Sequence, residues 1–455
     1  MENFTSLYFI GAGGIGMSAL VRYFLAKGYH VAGYDRTPSD LTEALINEGA
    51  EIMYDENSAL IPEYCRHPKT TLVVYTPAVP ESHNGFSYFR ENGFTIVKRA
   101  KLLGMITRTS KALCFAGTHG KTTTSSMAAH ILAQSPLECN AFLGGILKNY
   151  NSNLILSNTS EFTVIEADEY DRSFHQLSPY MAVITATDPD HLDIYGTEEA
   201  YLESFRYFTS LIQPGGALVI KKGIKVQPDV QKGVTIYQYS ADNGGDFHAQ
   251  NIRIGKGTII FDFVTPKEVI SDIELGVPVK INIENSVAAM AIAWLNGVDA
   301  VDIRKAMASF KGAKRRFDFW LKTANIVMID DYAHHPDELK ASITSVRALY
   351  PDKKISGIFQ PHLYTRTRDF YKEFAAALSL LDELILLDIY PAREHPIPGV
   401  TSKLIFDKVT CSNKELCHKD MLLEKIKQRN FEVLITLGAG DIDRMLPAIK
   451  EILSA

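Results

Sequence analysis

The feature that most constrains this chain is a glycine-bearing loop in its first third, set between an apolar run and a helical stretch. The apolar run, residues 112–116, is typical of a buried strand, and residues 125–132 are typical of a helix. A loop in this position points backbone N–H groups and the positive end of the helix at one spot, which is how proteins hold phosphates. A lysine at a helix start is unfavourable, because its charge lies beside the positive end of the helix dipole, and a nearby anion offsets this repulsion. The segment therefore predicts a site for nucleotide phosphates.

Roles within this loop follow from the general phosphate-loop pattern. Lys121 can reach the outer phosphates, and the hydroxyl of Thr122 is placed to ligate Mg²⁺. Phe115 stands where that pattern has its first glycine, and an ordinary strand–turn–helix without a ligand is the alternative. The candidate nucleotide-binding residues of the loop are Gly117, Thr118, His119, Gly120, Lys121, Thr122 and Thr123.

A second glycine-rich loop follows the first apolar run of the chain and precedes a helical stretch that begins at Met17. Asp35 ends the next predicted strand, at a spacing suited to a ribose hydroxyl. Taken alone, the pattern indicates an NAD-dependent oxidoreductase, but a UDP-sugar would suit the same loop, and so would tight helix–strand packing without a ligand. The candidate substrate-binding residues here are Gly11, Gly13, Gly14, Ile15, Gly16 and Asp35.

The length and the patterning together predict three α/β domains. A chain of 455 residues has room for about three domains of ordinary size. Short apolar runs alternate with amphipathic stretches almost throughout, which indicates parallel sheets with crossover helices. We place a Rossmann-like domain at 1–108, a P-loop-type central domain at 109–320 and a Rossmann-like C-terminal domain at 321–455. Turn-rich sequence near 215–280 predicts an antiparallel β appendage on the central domain.

Charge and cysteine content exclude several classes of protein. The formal net charge is −6, whereas a nucleic-acid partner requires a basic face. The five cysteines are scattered, odd in number and without metal-ligand spacing, which favours a reducing compartment. The N-terminus lacks the basic region of a signal peptide, and no apolar run is long enough to span a bilayer. We expect a cytoplasmic protein with no nucleic-acid and no membrane partner.

Two polar clusters follow predicted strands of the central domain. Glu166 comes directly after the apolar run 162–165, and His191 lies beyond the run 181–185. Open α/β sheets gather their ligands at the carboxyl ends of their strands. A carboxylate and an imidazole beside a triphosphate make sense as Mg²⁺ ligands, with water and phosphate oxygens completing the shell. Carboxylates that only solvate the strand ends are the alternative. The predicted metal ligands are Thr122, Glu166 and His191.

Polar clusters also follow the strands predicted in the last third, at 326–329, 355–359, 384–387 and 433–437. Because each cluster lies at a carboxyl end, we expect all of them on one edge of the sheet. Cationic groups there suit a small substrate with a carboxylate, and the charge that develops in phosphoryl transfer. The candidates are His334, His335, His362, Arg366, Arg393 and Glu394.

Taken in order, these motifs resemble the Mur ligases over essentially the whole chain. The resemblance rests on residues 11–16, 117–124, 166–171, 190–191, 282, 285, 316, 331–336, 360–367 and 438–441. It implies a three-domain ligase with ATP and Mg²⁺ as cofactors. It also implies that the first domain holds the UDP part of UDP-N-acetylmuramate, that the second binds ATP, and that the third closes over both.

The resemblance also implies individual roles. Catalytic roles fall to Lys121, Glu166, His191, His334, His335 and Arg366. Adenine-side contacts fall to Asn282 and Asn285, and contacts with the ATP phosphates and ribose fall to Arg316 and Asp331. His334, His335, His362 and Arg366 would face the reacting carboxylate and the amino acid. Apart from the resemblance, Arg99, Arg393 and Glu394 are further candidate substrate contacts.

Departures from the family pattern bear on which branch the chain belongs to. Leu363 stands where relatives often carry arginine, and Ile281 replaces a histidine of the asparagine motif. No lysine after His191 matches the one that other branches carbamylate, which favours the branch that adds L-alanine. A ligase that joins a tripeptide to the same UDP-sugar stays open. The oxidoreductase hypothesis leaves the Gly117 loop and Glu166 unexplained.

Overall fold

The protein is an α/β chain with three sheets, as a computed structural model describes it. The structure describes residues 4–76, 79–80, 83–189, 192–242, 244–392 and 394–454, without the side chains of Leu192 and Asp193. All three sheets consist mainly of parallel strand pairs. The first sheet is parallel throughout. The predicted fold class is confirmed.

The first sheet has five strands in the order β3-β2-β1-β4-β5. Its first strand, SLYFI, is buried along its whole length, as expected of a strand covered by helices on both faces. The strand order reverses beside this strand, which is where open sheets form a ligand crevice. The elements are β1 (Ser6–Ile10), α1 (Ile15–Ala26), β2 (His30–Tyr34), α2 (Asp40–Asn47), β3 (Glu51–Met53), β4 (Thr71–Tyr75), α3 (Asn84–Glu91), β5 (Thr95–Lys98) and α4 (Arg99–Thr107).

The second sheet has ten strands in the order β15-β14-β13-β12-β11-β10-β6-β9-β7-β8. At its centre β6 lies between β10 and β9, and it is parallel to both. The elements are β6 (Lys111–Ala116), α5 (Lys121–Ala133), β7 (Asn140–Leu147), β8 (Ser152–Ile155), β9 (Phe162–Glu166), β10 (Pro179–Ile184), α6 (Leu192–Tyr195), α7 (Glu198–Ser210), β11 (Ala217–Lys221), β12 (Thr235–Ser240), β13 (Phe247–Gly255), β14 (Thr258–Val264), β15 (Val269–Glu274), α8 (Ile281–Leu295) and α9 (Ala300–Ser309).

The antiparallel appendage begins later in the chain than the sequence predicted. Strands β11 and β12 pair in parallel, and the parallel register continues into β13 through Tyr239 and Phe247. Turn residues between short runs do not reveal strand direction, and the long connection between β11 and β12 lets the chain return in parallel. From β13 to β14 the chain turns over Lys256 and Gly257, a connection so short that only antiparallel strands can use it.

The third sheet has six strands in the order β16-β17-β21-β18-β19-β20. Its edge strand β16 is antiparallel to β17, and the other pairs are parallel. The predictions at 355–359 and 433–437 match β18 and β21, whereas β16 and β20 were not predicted. The elements are β16 (Asp318–Lys322), β17 (Val327–Asp331), α10 (Pro336–Leu349), β18 (Ile355–Phe359), α11 (Tyr364–Leu378), β19 (Glu383–Leu387), α12 (Lys403–Phe406), β20 (Asn413–Cys417), α13 (Leu422–Lys427), β21 (Val433–Leu437) and α14 (Leu446–Ser454).

Contact density divides the chain into two units. One unit comprises Met1–Gln250, Phe263–Ser271 and Glu284–Met307, and the other comprises Asn251–Asp262, Asp272–Ile283 and Ala308–Ala455. The three domains with boundaries near 108 and 320 remain a proposal.

All five cysteines are buried and free. Burial raises the pKa of the Cys65 thiol to about 12, and it also raises the pKa of the thiols of Cys114, Cys139, Cys411 and Cys417. Among the described residues, no helix combines the length and the apolar character needed to cross a bilayer.

A glycine in α4 marks a close contact that a methyl group would break. A Cβ built on Gly104 would lie 2.1 Å from the carbonyl oxygen of Gln176. In an unconstrained helix, glycine to alanine stabilises by about 1 kcal/mol, but overpacking against backbone costs about 1–3 kcal/mol. We expect Gly104→Ala to lower the thermal unfolding midpoint, measured by circular dichroism. A midpoint above that of the wild type would show that the backbone around Gln176 yields without cost.

Candidate active site

The first glycine loop lies at the carboxyl edge of the first sheet. Gly11 has a φ of +88°, in the left-handed region that favours glycine. The N–H of Gly13 donates to Oδ2 of Asp35 at 2.6 Å, so the residue that follows β2 holds the loop. A Cβ on Gly16 would lie 2.9 Å from Nη1 of Arg99, the first residue of α4. The loop, Asp35 and Arg99 are therefore neighbours.

The second glycine loop connects β6 to α5 and has two left-handed glycines. Gly117 has a φ of +136° and Gly120 a φ of +82°. A Cβ on Gly117 would lie 2.2 Å from Oγ1 of Thr185, which follows β10. The hydroxyl of Thr118 donates to the carbonyl of Asp188 at 2.7 Å. The loop is thus fixed against the residues that follow β10.

Lys121, the first residue of α5, folds back over this loop. Its Nζ donates to the carbonyl of Gly117 at 2.6 Å and lies 2.8 Å from both carboxylate oxygens of Glu169. The side chain of Glu169 is 1% exposed and that of Lys121 is 15% exposed. Burial raises the pKa of Glu169, and the nearby Lys121 ammonium counters that rise in part. The two groups form a largely desolvated ion pair.

Thr122 and Glu166 bring hard oxygen ligands together beside the loop. The Thr122 hydroxyl donates to Oε1 of Glu166 at 2.9 Å, and the N–H of Gly144 donates to Oε2 at 3.0 Å. A hydroxyl and a carboxylate side by side fit a hard divalent cation such as Mg²⁺. His191, the third predicted ligand, lies outside the described residues. Within the described residues, no group of three or more His, Cys, Asp or Glu side chains is gathered as metal ligands.

The two asparagines at the start of α8 have different surroundings. Oδ1 of Asn285 accepts from the hydroxyl of Thr124 at 3.3 Å, and a Cβ on Gly120 would lie 2.8 Å from the same oxygen. Asn285 therefore packs against the last glycine of the phosphate loop. Asn282 donates from Nδ2 to the carbonyl of Val277 at 3.1 Å.

At the carboxyl edge of the third sheet, the ends of β17, β21 and β18 lie side by side. Leu437 pairs in register with both Asp331 and Phe359. The ring of His362 lies 6.3 Å from that of His334, and its Nδ1 lies 3.4 Å from Nη1 of Arg366. His334, His362 and Arg366 therefore form one cluster of polar groups at this edge.

Two acidic residues at this edge cap helices. Oε2 of Glu338 accepts from the N–H groups of His334 and His335, at 2.9 and 3.1 Å, where α10 begins. Glu394, predicted as a substrate contact, accepts from the N–H and the hydroxyl of Thr365 where α11 begins. Arg393 lies outside the described residues.

Arg315, which the sequence analysis did not single out, binds groups of the third sheet; the ATP contact predicted for Arg316 stays a prediction. Arg315 donates to the carbonyls of Gly438 and Gly440, at 2.6 and 3.1 Å, and its Nε lies 3.5 Å from Oδ2 of the buried Asp330. The side chain of Arg316 is exposed. The sequence gives no signal that separates these adjacent arginines, because the carbonyls that Arg315 contacts come from the distant end of β21.

Comparison with known proteins assigns the chain to a family. Residues 6–111 match the model described as Mur ligase family, catalytic domain. Residues 115–293 match the Mur ligase middle domain, and residues 315–440 match the Mur ligase, glutamate ligase domain. The chain belongs to the Mur ligase family. It is therefore an enzyme of a family of ATP-dependent ligases, and the oxidoreductase hypothesis loses its support.

Relatives of this Mur ligase cover it from end to end. A UDP-N-acetylmuramate–L-alanine ligase from Parabacteroides distasonis is 67% identical, over 99% of this chain and 97% of the relative. An enzyme of the same name from Phocaeicola vulgatus is 65% identical, over 99% and 98%. The crystal structure of UDP-N-acetylmuramate-alanine ligase from Thermotoga maritima is 26% identical, with a TM-score of 0.80 and 98% coverage of both chains.

In this Mur ligase the buried Asp330 provides a test of the electrostatics of the third sheet. Burial raises the pKa of Asp330 to about 6, although Thr436 and Arg315 favour its charged form. The folded chain therefore binds this proton more tightly than the unfolded chain does. The contribution of Asp330 to the free energy of unfolding falls as pH rises from about 4 to about 6.

We expect Asp330→Asn to remove that loss. The thermal unfolding midpoint of the variant should fall less than that of the wild type between pH 4 and pH 6. Asp443→Asn, which removes another carboxylate near Arg315, serves as the control and should keep the wild-type slope. Parallel profiles for Asp330→Asn and the wild type would contradict the assignment.

Proposed function

We propose that this Mur ligase is a UDP-N-acetylmuramate–L-alanine ligase, which joins the amine of L-alanine to the lactyl carboxylate of the UDP-sugar while ATP becomes ADP and phosphate. The observation that carries the proposal is the identity of 67% and 65%, over nearly full length, with two enzymes of that name. The grouping of Lys121, Thr122 and Glu166 at the β6–α5 loop supports it chemically.

The reaction follows from the chemistry of the two substrates. A carboxylate is a poor electrophile, so an oxygen of the lactyl carboxylate first attacks the γ-phosphorus of ATP, and the bond from that phosphorus to ADP breaks. The acyl phosphate that results has a good leaving group. The alanine amine attacks its carbonyl carbon, the bond to phosphate breaks, and the nitrogen loses a proton. Catalysis of such a transfer is mostly positioning and charge neutralisation.

Residues at the carboxyl edge of the second sheet would offset the electrostatic repulsion between the two substrates in the first step of the reaction. A carboxylate and a triphosphate at ~4 Å repel by ~1 kcal/mol in water and by several times that in a drier site. Lys121 would neutralise phosphate oxygens. Thr122 and Glu166, together with His191, would hold Mg²⁺, which supplies further positive charge at the phosphates when bound. Asn285 would support the loop through its close contact with Gly120.

The first sheet would hold the UDP-sugar. Its glycine loop opens α1, whose N-terminus suits a diphosphate, and the guanidinium of Arg99 lies against Gly16 of that loop. A guanidinium can bind phosphate through two parallel hydrogen bonds. Asp35 accepts a hydrogen bond from the N–H of Gly13 and so holds the loop. It would also accept a hydrogen bond from a ribose hydroxyl.

The polar cluster of the third sheet would bind the amino acid. His334, His362 and Arg366 offer hydrogen bonds and positive charge within one small region, which suits the carboxylate of L-alanine. His335 follows His334 and is the N-cap residue of α10. Glu394 would act through Thr365, because both of its carboxylate oxygens accept hydrogen bonds from that residue.

The proposal is tested by ADP release from the purified chain with ATP, Mg²⁺ and UDP-N-acetylmuramate against a panel of acceptors. We expect L-alanine to give the highest kcat/KM, with glycine and L-serine below it, and the tripeptide L-alanyl-γ-D-glutamyl-meso-diaminopimelate to give no release above background. Preference for the tripeptide would replace this proposal with a recycling ligase.

Lys121→Ala tests the phosphate loop. We expect a loss of alanine-dependent ADP release of at least about 100-fold, the scale of removing one group that stabilises charge in a transition state. Lys111→Ala is a matched control, because Lys111 begins β6 at the end opposite to the loop and pairs with Glu161 on the surface. It should retain wild-type turnover. Undiminished turnover by Lys121→Ala would remove the loop from the mechanism.

A further inference from the structure

Glu169 has no part in the function proposed so far, yet its carboxylate is among the most buried charged groups of the site. It lies three residues beyond Glu166, on the segment that follows β9. Its side chain is 1% exposed, and its carboxylate contacts the ammonium of Lys121. A charge in such a place is stable only with a partner, because desolvation of an unpaired carboxylate is costly.

The ammonium of Lys121 has three acceptors within the protein, two at short distance and one at long distance. An ammonium has three N–H donors. In the structure these meet the carbonyl of Gly117 at 2.6 Å, the carbonyl of Thr118 at 3.4 Å and Glu169 at 2.8 Å. A phosphate oxygen can therefore accept from Lys121 only if one of these three acceptors gives up its place.

The three acceptors differ in what their release would cost. The carbonyls of Gly117 and Thr118 are neutral, whereas Glu169 would be left as a buried carboxylate without its counter-ion. Breaking a buried ion pair by removing one partner is strongly unfavourable, because it leaves an uncompensated buried charge. The carbonyls are thus the groups to be exchanged for phosphate, and the carboxylate is the group that stays.

The backbone at Glu169 is held in a way that suits a fixed anchor. The hydroxyl of Tyr195 donates to the carbonyl of Glu169 at 2.5 Å, and the N–H of Phe174 donates to the carbonyl of Asp168 at 2.9 Å. Just beyond, Asp171 and Arg172 have φ values of +52° and +53°, which turn the chain sharply back. Loss of side-chain length or charge at this position therefore cannot be made good by a small backbone shift.

We propose that Glu169 is a positioning residue, which stays on the Lys121 ammonium throughout the reaction and sets the place from which that ammonium meets the transferred phosphoryl group. Glu169 itself touches no substrate. This inference rests on the proposed function, because it takes Lys121 as the phosphate ligand.

Glu169→Gln tests the proposal through separate effects on kcat and on the KM for ATP. The amide keeps the size but loses the charge that fixes Lys121, so kcat should fall about 10- to 100-fold. The KM for ATP should stay the same or fall, because the site loses a negative charge near a polyanion. Glu169→Asp keeps the charge on a shorter side chain and should restore part of kcat. Turnover is measured as ADP release per folded enzyme, with the folded fraction taken from thermal unfolding.

The matched control is Glu161→Gln. Glu161 pairs with Lys111 at 2.7 Å across the same two strands, at their opposite ends, and this pair is exposed. Glu161→Gln should keep wild-type kinetics. If Glu169→Gln does not fold, the kinetics of Glu169→Asp alone test the proposal. That variant must then show a lower kcat than the wild type without a higher KM for ATP.

Two results would overturn the inference. One is a kcat for the folded Glu169 variants within twofold of the wild type, which would make the residue merely structural. The other is a raised KM for ATP at unchanged kcat, which would place its effect on ground-state binding. If Lys121→Ala is inactive and Glu169→Gln is fully active, only this inference fails. If Lys121→Ala is active, the proposed function of the loop fails first.

Discussion

The phosphate-loop edge of the second sheet holds one largely desolvated positive charge, which needs a counter-ion. Lys121 stands at the start of α5, where the helix dipole is positive, and its side chain is largely removed from water. The anion that permits this is Glu169, from the residues that follow the neighbouring strand β9. Because β6 and β9 are parallel neighbours, the loop after one and the acidic segment after the other emerge at the same edge. Glu166 meets Thr122 in the same way.

The same geometric rule organises the other two sheets. In the first sheet the turn after β1 meets Asp35, which follows β2, and Arg99, which follows β5. In the third sheet the residues after β17 and β18 meet at one edge. Each site is therefore assembled from segments that are distant in sequence but adjacent at strand ends. This arrangement lets a ligase present several anion-binding groups without burying irregular backbone.

The sequence located what is encoded locally. Apolar runs such as Ile355–Phe359 and Val433–Leu437 are buried strands because their composition allows little else, and both were predicted with the observed bounds. Both glycine loops were found because a left-handed turn before a helix requires glycine. Edge strand β16 was missed because most of its residues are only partly buried and its apolar run is short. The parallel pairing of β11 with β12 was missed because strand direction depends on distant partners.

The contacts of the site residues were harder to predict from the sequence, because they too depend on segments that are distant in the chain. Arg315 and Arg316 are adjacent in sequence, and only the return of β21 decides which one contacts the sheet. Glu169 lies within the motif 166–171 but received no role from the sequence, because its contact with Lys121 and its burial are visible only in the structure. Asp35 and Glu394 were expected at substrates, and the structure adds that each also holds a backbone segment.

The buried cysteines have a practical consequence for following the motions of this enzyme. The thiolate is the form that reacts with alkylating reagents, and every native thiol here is buried, with its pKa raised above that of a free thiol. A maleimide dye at neutral pH will therefore spare the native side chains. Two cysteines introduced on exposed helix faces will carry a donor and an acceptor dye, so the distance between them can be measured by energy transfer without first removing any natural sulfhydryl.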